Sequence, residues 1–81
     1  MVKSQFNNSL GSFIREKRLT LNMSQSDLAA KLDNNFQNVS RLERGEVSPT
    51  LYWFFKLAVA FEMEPNLLIL EFEKFLSKKL K

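Results

Sequence analysis

Apolar residues recur along the chain at intervals of three and four, the spacing that places side chains on one face of a helix. The first such stripe contains Leu10, Phe13, Ile14 and Leu21. No segment alternates between apolar and polar residues as a half-buried strand does. The pattern predicts an all-α chain with helix 1 at about residues 9–21, helix 2 at about 25–32, helix 3 at about 35–44, helix 4 at about 51–61 and helix 5 at about 65–80.

Polar and small residues mark the ends of these segments. Ser24 and Asp27 have the three-residue spacing of a capping box, with Asp in place of the usual Glu. The other expected end signals are Asn34 or Asn35 and Thr50 as N-caps, Gly45 as a C-terminal residue with positive φ, and Pro65 in a first helical turn.

The third segment, "NNFQNVSRLERG", has an unusual polar face. At 100° per residue, Val39 and Leu42 point to one side of the helix, and the opposite side carries Gln37, Ser40, Arg41 and Arg44 and no carboxylate. One interpretation is an ordinary solvated face. The other is a surface that contacts bases, because Gln pairs with adenine and Arg pairs with guanine in the major groove.

The second segment favours the DNA interpretation. Gln25 lies in the first turn of helix 2, where backbone N–H groups and a side-chain amide together suit a phosphate. A short helix that grips the DNA backbone, followed by a second helix that enters the groove, is the arrangement of a helix-turn-helix.

These segments carry a family resemblance. "IREKR", "MSQSDLA", "VSRLERG" and "SPT", in this order over residues 10 to about 68, resemble the phage-repressor (Cro/C1-type, XRE) helix-turn-helix family. The resemblance implies one five-helix, lambda-repressor-like domain over residues 1–81 that binds double-stranded DNA, usually as a dimer. It implies base contacts by Phe36, Gln37 and Arg41 and backbone contacts by Gln25, Asn38, Ser40 and Arg44.

Two residues depart from the family pattern. Asp33 stands where the family usually has Gly in the turn, so we expect it to adopt a left-handed conformation, which Asp tolerates better than most residues. Phe36 stands where a polar side chain is common. Two placements are open for its ring: against a thymine methyl group, or tucked inward where it reads no base.

Two charged residues lie on apolar stripes. Arg18 falls within the stripe of helix 1, and Glu43 lies beside Val39 and Leu42 on helix 3. We expect the two to meet as a partly buried ion pair, and relatives in the family pair these positions. Arg18 is therefore assigned a structural role and is left out of the DNA-binding face.

The late helices carry more apolar surface than one small core requires. Helix 5 is apolar over more than half of its circumference, whereas a helix lying on one domain needs a stripe little wider than 100°. Part of the apolar surface of helix 5 must cover the core of its own domain. On helix 4, Leu51 is expected to lie in that core. The excess predicts a homodimer held by Phe72, Phe75 and Leu76, with contributions from Tyr52 and Trp53.

Composition narrows the class of protein. The chain has neither Cys nor His, so disulfides and the usual zinc ligands are excluded, and a net charge of +3 is compatible with nucleic acid. No stretch reaches the roughly 20 apolar residues of a membrane span. We expect a cytoplasmic protein without catalytic residues, metal, cofactor or small-molecule ligand.

The predicted function is a DNA-binding transcriptional regulator of a prokaryote or phage. Short members of the family that resemble this chain include restriction–modification controllers and small phage or plasmid repressors, which often act on their own promoters. The alternative is an antitoxin of the same fold that binds a toxin through its late helices. Peripheral membrane binding by helix 5 is a weaker possibility, because Glu71 and Glu73 stand beside Lys74 on its polar side.

Overall fold

The computed structural model describes residues 1–79, and within that range it contains five α-helices and no strand. The helices are α1 Lys3–Thr20, α2 Gln25–Lys31, α3 Phe36–Glu43, α4 Leu51–Ala60 and α5 Pro65–Lys79. Leu80, where helix 5 was predicted to end, and Lys81 lie outside the described residues. Among the described helices, none has the length and apolar character needed to cross a membrane.

The first helix is longer than its sequence predicts. It begins at Lys3 and not near residue 9, and the Gln5 side chain accepts a hydrogen bond from the Val2 N–H at 3.2 Å. Residues "SQFNNS" are poor helix formers with little apolar periodicity, so local propensity gives no signal there. Tertiary contacts stabilise this first part of α1: Phe6 packs edge-on against Phe72 at a ring distance of 5.5 Å, and the buried Asn7 accepts a hydrogen bond from Ser48.

The helix ends follow the polar signals in the sequence. Ser24 Oγ accepts from the Asp27 N–H at 2.9 Å, and an Asp27 carboxylate oxygen accepts from the Ser24 N–H at 2.8 Å. Asn35, not Asn34, caps α3, and its side chain accepts from the Asn38 N–H at 2.9 Å. Thr50 caps α4, Pro65 begins α5, and positive φ angles occur at Asp33 (56°) and Gly45 (76°).

The core lies where the inner faces of all five helices meet. Its largest fully buried side chains are Ile14, Leu28, Val39, Leu42, Leu57 and Leu68. Two leucines expected in the core are exposed. Leu21 follows the last residue of α1, where the chain has already turned away, and Leu51 is the first residue of α4 and is 71% exposed.

A close approach between α1 and α3 fixes the orientation of α3. A Cβ added at Gly11 would lie 2.5 Å from the backbone carbonyl oxygens of Leu42 and Glu43, so only glycine allows this contact. The side of α3 that carries Val39 and Leu42 is consequently held against the body of the protein. The polar side of α3 is left facing solvent.

Candidate nucleic-acid interface

The outward face of α3 carries the side chains proposed to read bases. Gln37 and Arg41 are exposed, whereas Val39 and Leu42 on the opposite side of the same helix are fully buried. Phe36 is 52% exposed, so its ring is not tucked into the core. The structure thus removes the inward placement of Phe36 and leaves an aromatic ring at the beginning of the polar face.

Asparagine side chains hold the beginning of α3 in place. The Asn38 amide nitrogen donates to Asn34 Oδ1 at 2.7 Å, and the same oxygen accepts from the Asn35 N–H at 2.8 Å. Asn38 is half-buried by these contacts. The turn between α2 and α3 is therefore tied to the first turn of α3, which fixes the position from which Phe36 and Gln37 project.

Arg18 and Glu43 meet in a buried ion pair between α1 and α3. Arg18 Nε donates to one Glu43 oxygen at 2.6 Å and Nη2 donates to the other at 3.0 Å. Arg18 Nη1 also donates to the Met23 carbonyl at 2.7 Å. The hydrogen bond to Glu43 raises the pKa of Arg18 further above its usual range, so the guanidinium stays charged. Neither side chain faces solvent, and the pair joins α1 to α3.

Gln25 joins this ion pair, which the sequence did not indicate. Its amide nitrogen donates to Glu43 Oε1 at 3.1 Å, and its side chain is half-buried. An amide carries two N–H groups, so one bond to Glu43 leaves a second donor for a phosphate. The contact links the proposed phosphate-binding side chain of α2 to α1 and α3.

An acidic residue adjoins the polar face of α3, contrary to the expectation of a face without carboxylates. Arg44 Nε lies 2.5 Å from one Glu46 oxygen, Arg41 Nε lies 3.8 Å from the other, and Arg44 Nη1 donates to Ser40 Oγ. The bond from Arg44 holds the pKa of Glu46 below its usual value.

The chain reversal at Gly45 accounts for this contact. The Glu46 N–H donates to the Arg41 carbonyl at 3.0 Å and the Gly45 N–H donates to the Leu42 carbonyl at 3.0 Å, the two bonds of a Schellman motif. This motif turns residue 46 back over the last turn of α3. The glycine in "ERGE" was the sequence signal that could have predicted it.

The residues predicted to hold a dimer differ widely in exposure. Tyr52 is 73% exposed, while Trp53, Phe75 and Leu76 are half-buried against the core. Phe72 is 6% exposed, and its ring lies 5.4 Å from that of Phe13. Assigning Phe72 to the interface was therefore wrong: the unexpected first turns of α1 supply Phe6, which completes its burial.

Tyr52 is one of several apolar side chains that are exposed on α4. Leu51, Tyr52, Phe55 and Val59 form a continuous outward stripe, called here the α4 stripe. Next to it lies a groove of about 450 Å³ between the beginning of α1, the beginning of α4 and α5, with Phe6, Leu51 and Ile69 among its lining residues. On α5, Leu67, Ile69 and Leu70 are also exposed.

Known proteins share this arrangement. The chain matches the family model for helix-turn-helix proteins (HTH_3) over residues 14–68. The restriction-modification controller protein C.AhdI from Aeromonas hydrophila is 31% identical, with 79% of this chain and 97% of that chain covered and a TM-score of 0.74. A search of curated proteins found no significant match.

Two further structures show the same fold at lower identity. The clp gene regulator ClgR from C. glutamicum is 19% identical, with 84% of this chain and 88% of that chain covered and a TM-score of 0.74. An HTH_3 family transcriptional regulator from Vibrio cholerae is 20% identical, with 86% of this chain but 39% of that chain covered and a TM-score of 0.76. The family match and the likeness to the controller protein point to a DNA-binding protein. The chain therefore belongs to the HTH_3 helix-turn-helix family, and it is a DNA-binding transcription regulator.

Proposed function

We propose that this regulator binds a specific double-stranded DNA sequence by inserting α3 into the major groove. The observation that carries the proposal is the exposure of Gln37 and Arg41 on the face of α3 opposite the buried Val39 and Leu42. A helix anchored on one side and polar on the other can enter a groove without unfolding any part of the core. The amide and guanidinium suit adenine and guanine edges respectively.

Phe36 is proposed as a third base-contacting residue. Its ring is exposed in the first turn of α3, beside Gln37. The C5-methyl group of thymine is the apolar feature that the major groove offers to such a ring. Phe36 is therefore expected to favour thymine at the base pair that it faces.

Four residues around this face are proposed to hold the DNA backbone. Gln25 has a second amide N–H beyond the one bound to Glu43, and Arg44 is exposed at the end of α3. Ser40 and Asn38 lie half-buried at the edge of the face. Contacts to phosphates fix the orientation of a protein on the duplex without reading its sequence.

The binding unit is proposed to be a homodimer. One recognition helix contacts only a few base pairs, which is too little to select one site in a genome. The α4 stripe, which includes Tyr52, supplies the apolar surface that a two-fold contact requires. Trp53, Phe75 and Leu76, the other residues proposed to contribute, are half-buried against the core. Two copies of α3 would then enter successive major grooves about 34 Å apart on an inverted repeat.

A controller that acts on its own promoter is the proposed biological role, and the 31% identity to the restriction-modification controller C.AhdI supports it. The second candidate is an antitoxin, which the exposed apolar side chains of α4 also suit. The oligomeric state of the isolated protein distinguishes the controller from the antitoxin. Burial of the α4 stripe in a homodimer favours the controller, and a monomer that keeps this stripe exposed favours the antitoxin.

Substitution of Arg41 tests the base-reading role. Arg41→Ala is expected to weaken operator binding by about 1–3 kcal/mol and to relax preference at one base pair. Arg41→Lys is the matched control, because it keeps the charge and loses the two-pronged donor geometry. If Arg41→Ala weakens all duplexes equally, Arg41 contacts the backbone and not a base.

A further inference from the structure

We propose that Glu46 competes with DNA phosphates for Arg44 and thereby sets the sequence-independent part of the protein's DNA affinity. The proposal rests on the DNA-binding function of the family, and it adds a residue that neither the sequence pattern nor the family resemblance assigned to the interface. The starting observation is that the Glu46 carboxylate lies at the end of the polar face of α3.

Glu46 is held at this position by the backbone. The positive φ of Gly45 and the hydrogen bond from the Glu46 N–H to the Arg41 carbonyl return residue 46 to the last turn of α3. One carboxylate oxygen then lies 2.5 Å from Arg44 Nε and the other 3.8 Å from Arg41 Nε. The lowered pKa of Glu46 agrees with a carboxylate that stays ionised beside these guanidiniums.

When DNA binds, Arg44 can either stay paired with the Glu46 carboxylate or leave it for a phosphate. If Arg44 keeps its bond to Glu46, the phosphate meets an ion pair with no net charge. If Arg44 leaves Glu46 for the phosphate, an unpaired carboxylate is left among phosphates of the same charge. Both routes remove about one positive charge from the binding face, so about one fewer counterion is released from the DNA on binding.

The effect on Arg41 should be much smaller. Its Nε stands 3.8 Å from the carboxylate, beyond hydrogen-bond distance, whereas Arg44 is held directly by both Glu46 and Ser40. Arg41 can therefore turn to a base without breaking a hydrogen bond to Glu46. Glu46 is expected to lower affinity for operator and for unrelated duplexes by similar factors, leaving the base preference unchanged.

The test compares Glu46→Gln with Glu16→Gln on a random-sequence duplex and on a selected operator, over a series of salt concentrations. Both substitutions raise the net charge equally, but Glu16 lies on α1 beside Lys78 and Lys79 of α5. Glu46→Gln should steepen the slope of log K, the DNA association constant, against log salt by about 0.9. This change corresponds to about eightfold tighter binding than the wild type at 0.1 M salt, and the two affinities should become equal near about 1 M. Glu16→Gln should change binding less than about twofold, because this carboxylate borders Lys78 and Lys79 of α5 and not the guanidiniums of α3.

Three results would overturn the proposal. Unchanged or weaker binding by Glu46→Gln would make Glu46 a residue that positions Arg44 for the phosphate. Equal gains for the two substitutions would show that only net charge matters. If neither the wild type nor either variant binds any duplex, the DNA-binding function itself is rejected together with this inference. Thermal unfolding of each variant, expected at the wild-type temperature, checks that the fold is intact.

Discussion

Removal of Glu43 should destabilise the protein more than any substitution on its surface. The side chains of Arg18 and Glu43 are 8% and 3% exposed, and two hydrogen bonds join them. Without Glu43, the buried guanidinium keeps the Met23 carbonyl as its one partner among residues 1–79. Breaking one side of a buried ion pair costs about 3–5 kcal/mol, because a charge is left without compensation.

That loss is large for a chain of this size. Stabilities of about 0.05–0.15 kcal/mol per residue give a free energy of unfolding of about 4–12 kcal/mol for the whole protein. A loss of 3–5 kcal/mol would lower the melting temperature by about 12–40 °C. Glu43→Leu should therefore be partly unfolded at moderate temperature, and it should also release Gln25 from its hydrogen bond.

The assay is a double-mutant cycle on urea unfolding, monitored by circular dichroism. Arg18→Met and Glu43→Leu should each be strongly destabilising, whereas the double variant should recover much of the loss, because two apolar side chains replace the pair. The interaction energy should clearly exceed the roughly 0.5 kcal/mol seen between independent sites. Additive losses would refute the reasoning, since they would mean that the two side chains do not interact in solution.

Three further predictions concern DNA contact, assembly and a helix cap. Arg44→Ala should weaken binding to all duplexes alike and reduce the salt slope by up to about one unit in titrations; altered base preference at constant slope would contradict a backbone role. Tyr52→Glu should give a folded monomer by sedimentation at micromolar concentration, whereas the exposed Leu19→Glu on α1 should leave the dimer intact; a wild-type monomer would reject the proposed interface. Hydrogen bonds from Ser24 lower the pKa of Asp27 in the folded protein. The ionised carboxylate therefore stabilises the fold at pH values above the ordinary pKa of Asp, and this stabilisation is lost as the pH falls through the lowered pKa of the folded state. Ser24→Ala should raise the pKa of Asp27 part of the way towards its ordinary value in an NMR titration, because the Ser24 backbone N–H, the larger cause of the lowering, remains. An unchanged pKa would show that the Ser24 hydroxyl does not contribute to the lowering.

Much of the fold could be predicted because its signals are local. The spacing of apolar residues predicted five helices, and hydrogen bonds between near neighbours determined their ends, as at Ser24 and Thr50. The pairing of Arg18 with Glu43 could also be inferred, because a charge on an apolar stripe requires a partner of opposite sign. Asp33 adopts the left-handed conformation expected where the family has glycine.

The features that were missed depend on tertiary contacts. The first turns of α1 lack an apolar stripe and are held by the contact of Phe6 with Phe72, which no local pattern contains. The same contact moved Phe72 from the predicted interface into the core. Glu46 was overlooked because it lies outside α3 in sequence, and it reaches Arg44 only through the reversal at Gly45. On α4, apolar composition alone could not separate the buried Leu57 from the exposed Leu51.

Selection of bound duplexes from a random DNA pool tests the central proposal most directly. The proposal predicts enrichment of an inverted repeat whose half-sites lie one helical turn apart. When the same selection is repeated with Arg41→Ala, the preference at one base pair of each half-site should be lost, while the rest of the motif persists. A pool that stays random at physiological salt, or a motif that is unchanged by Arg41→Ala and by Gln37→Ala, would contradict sequence recognition by α3.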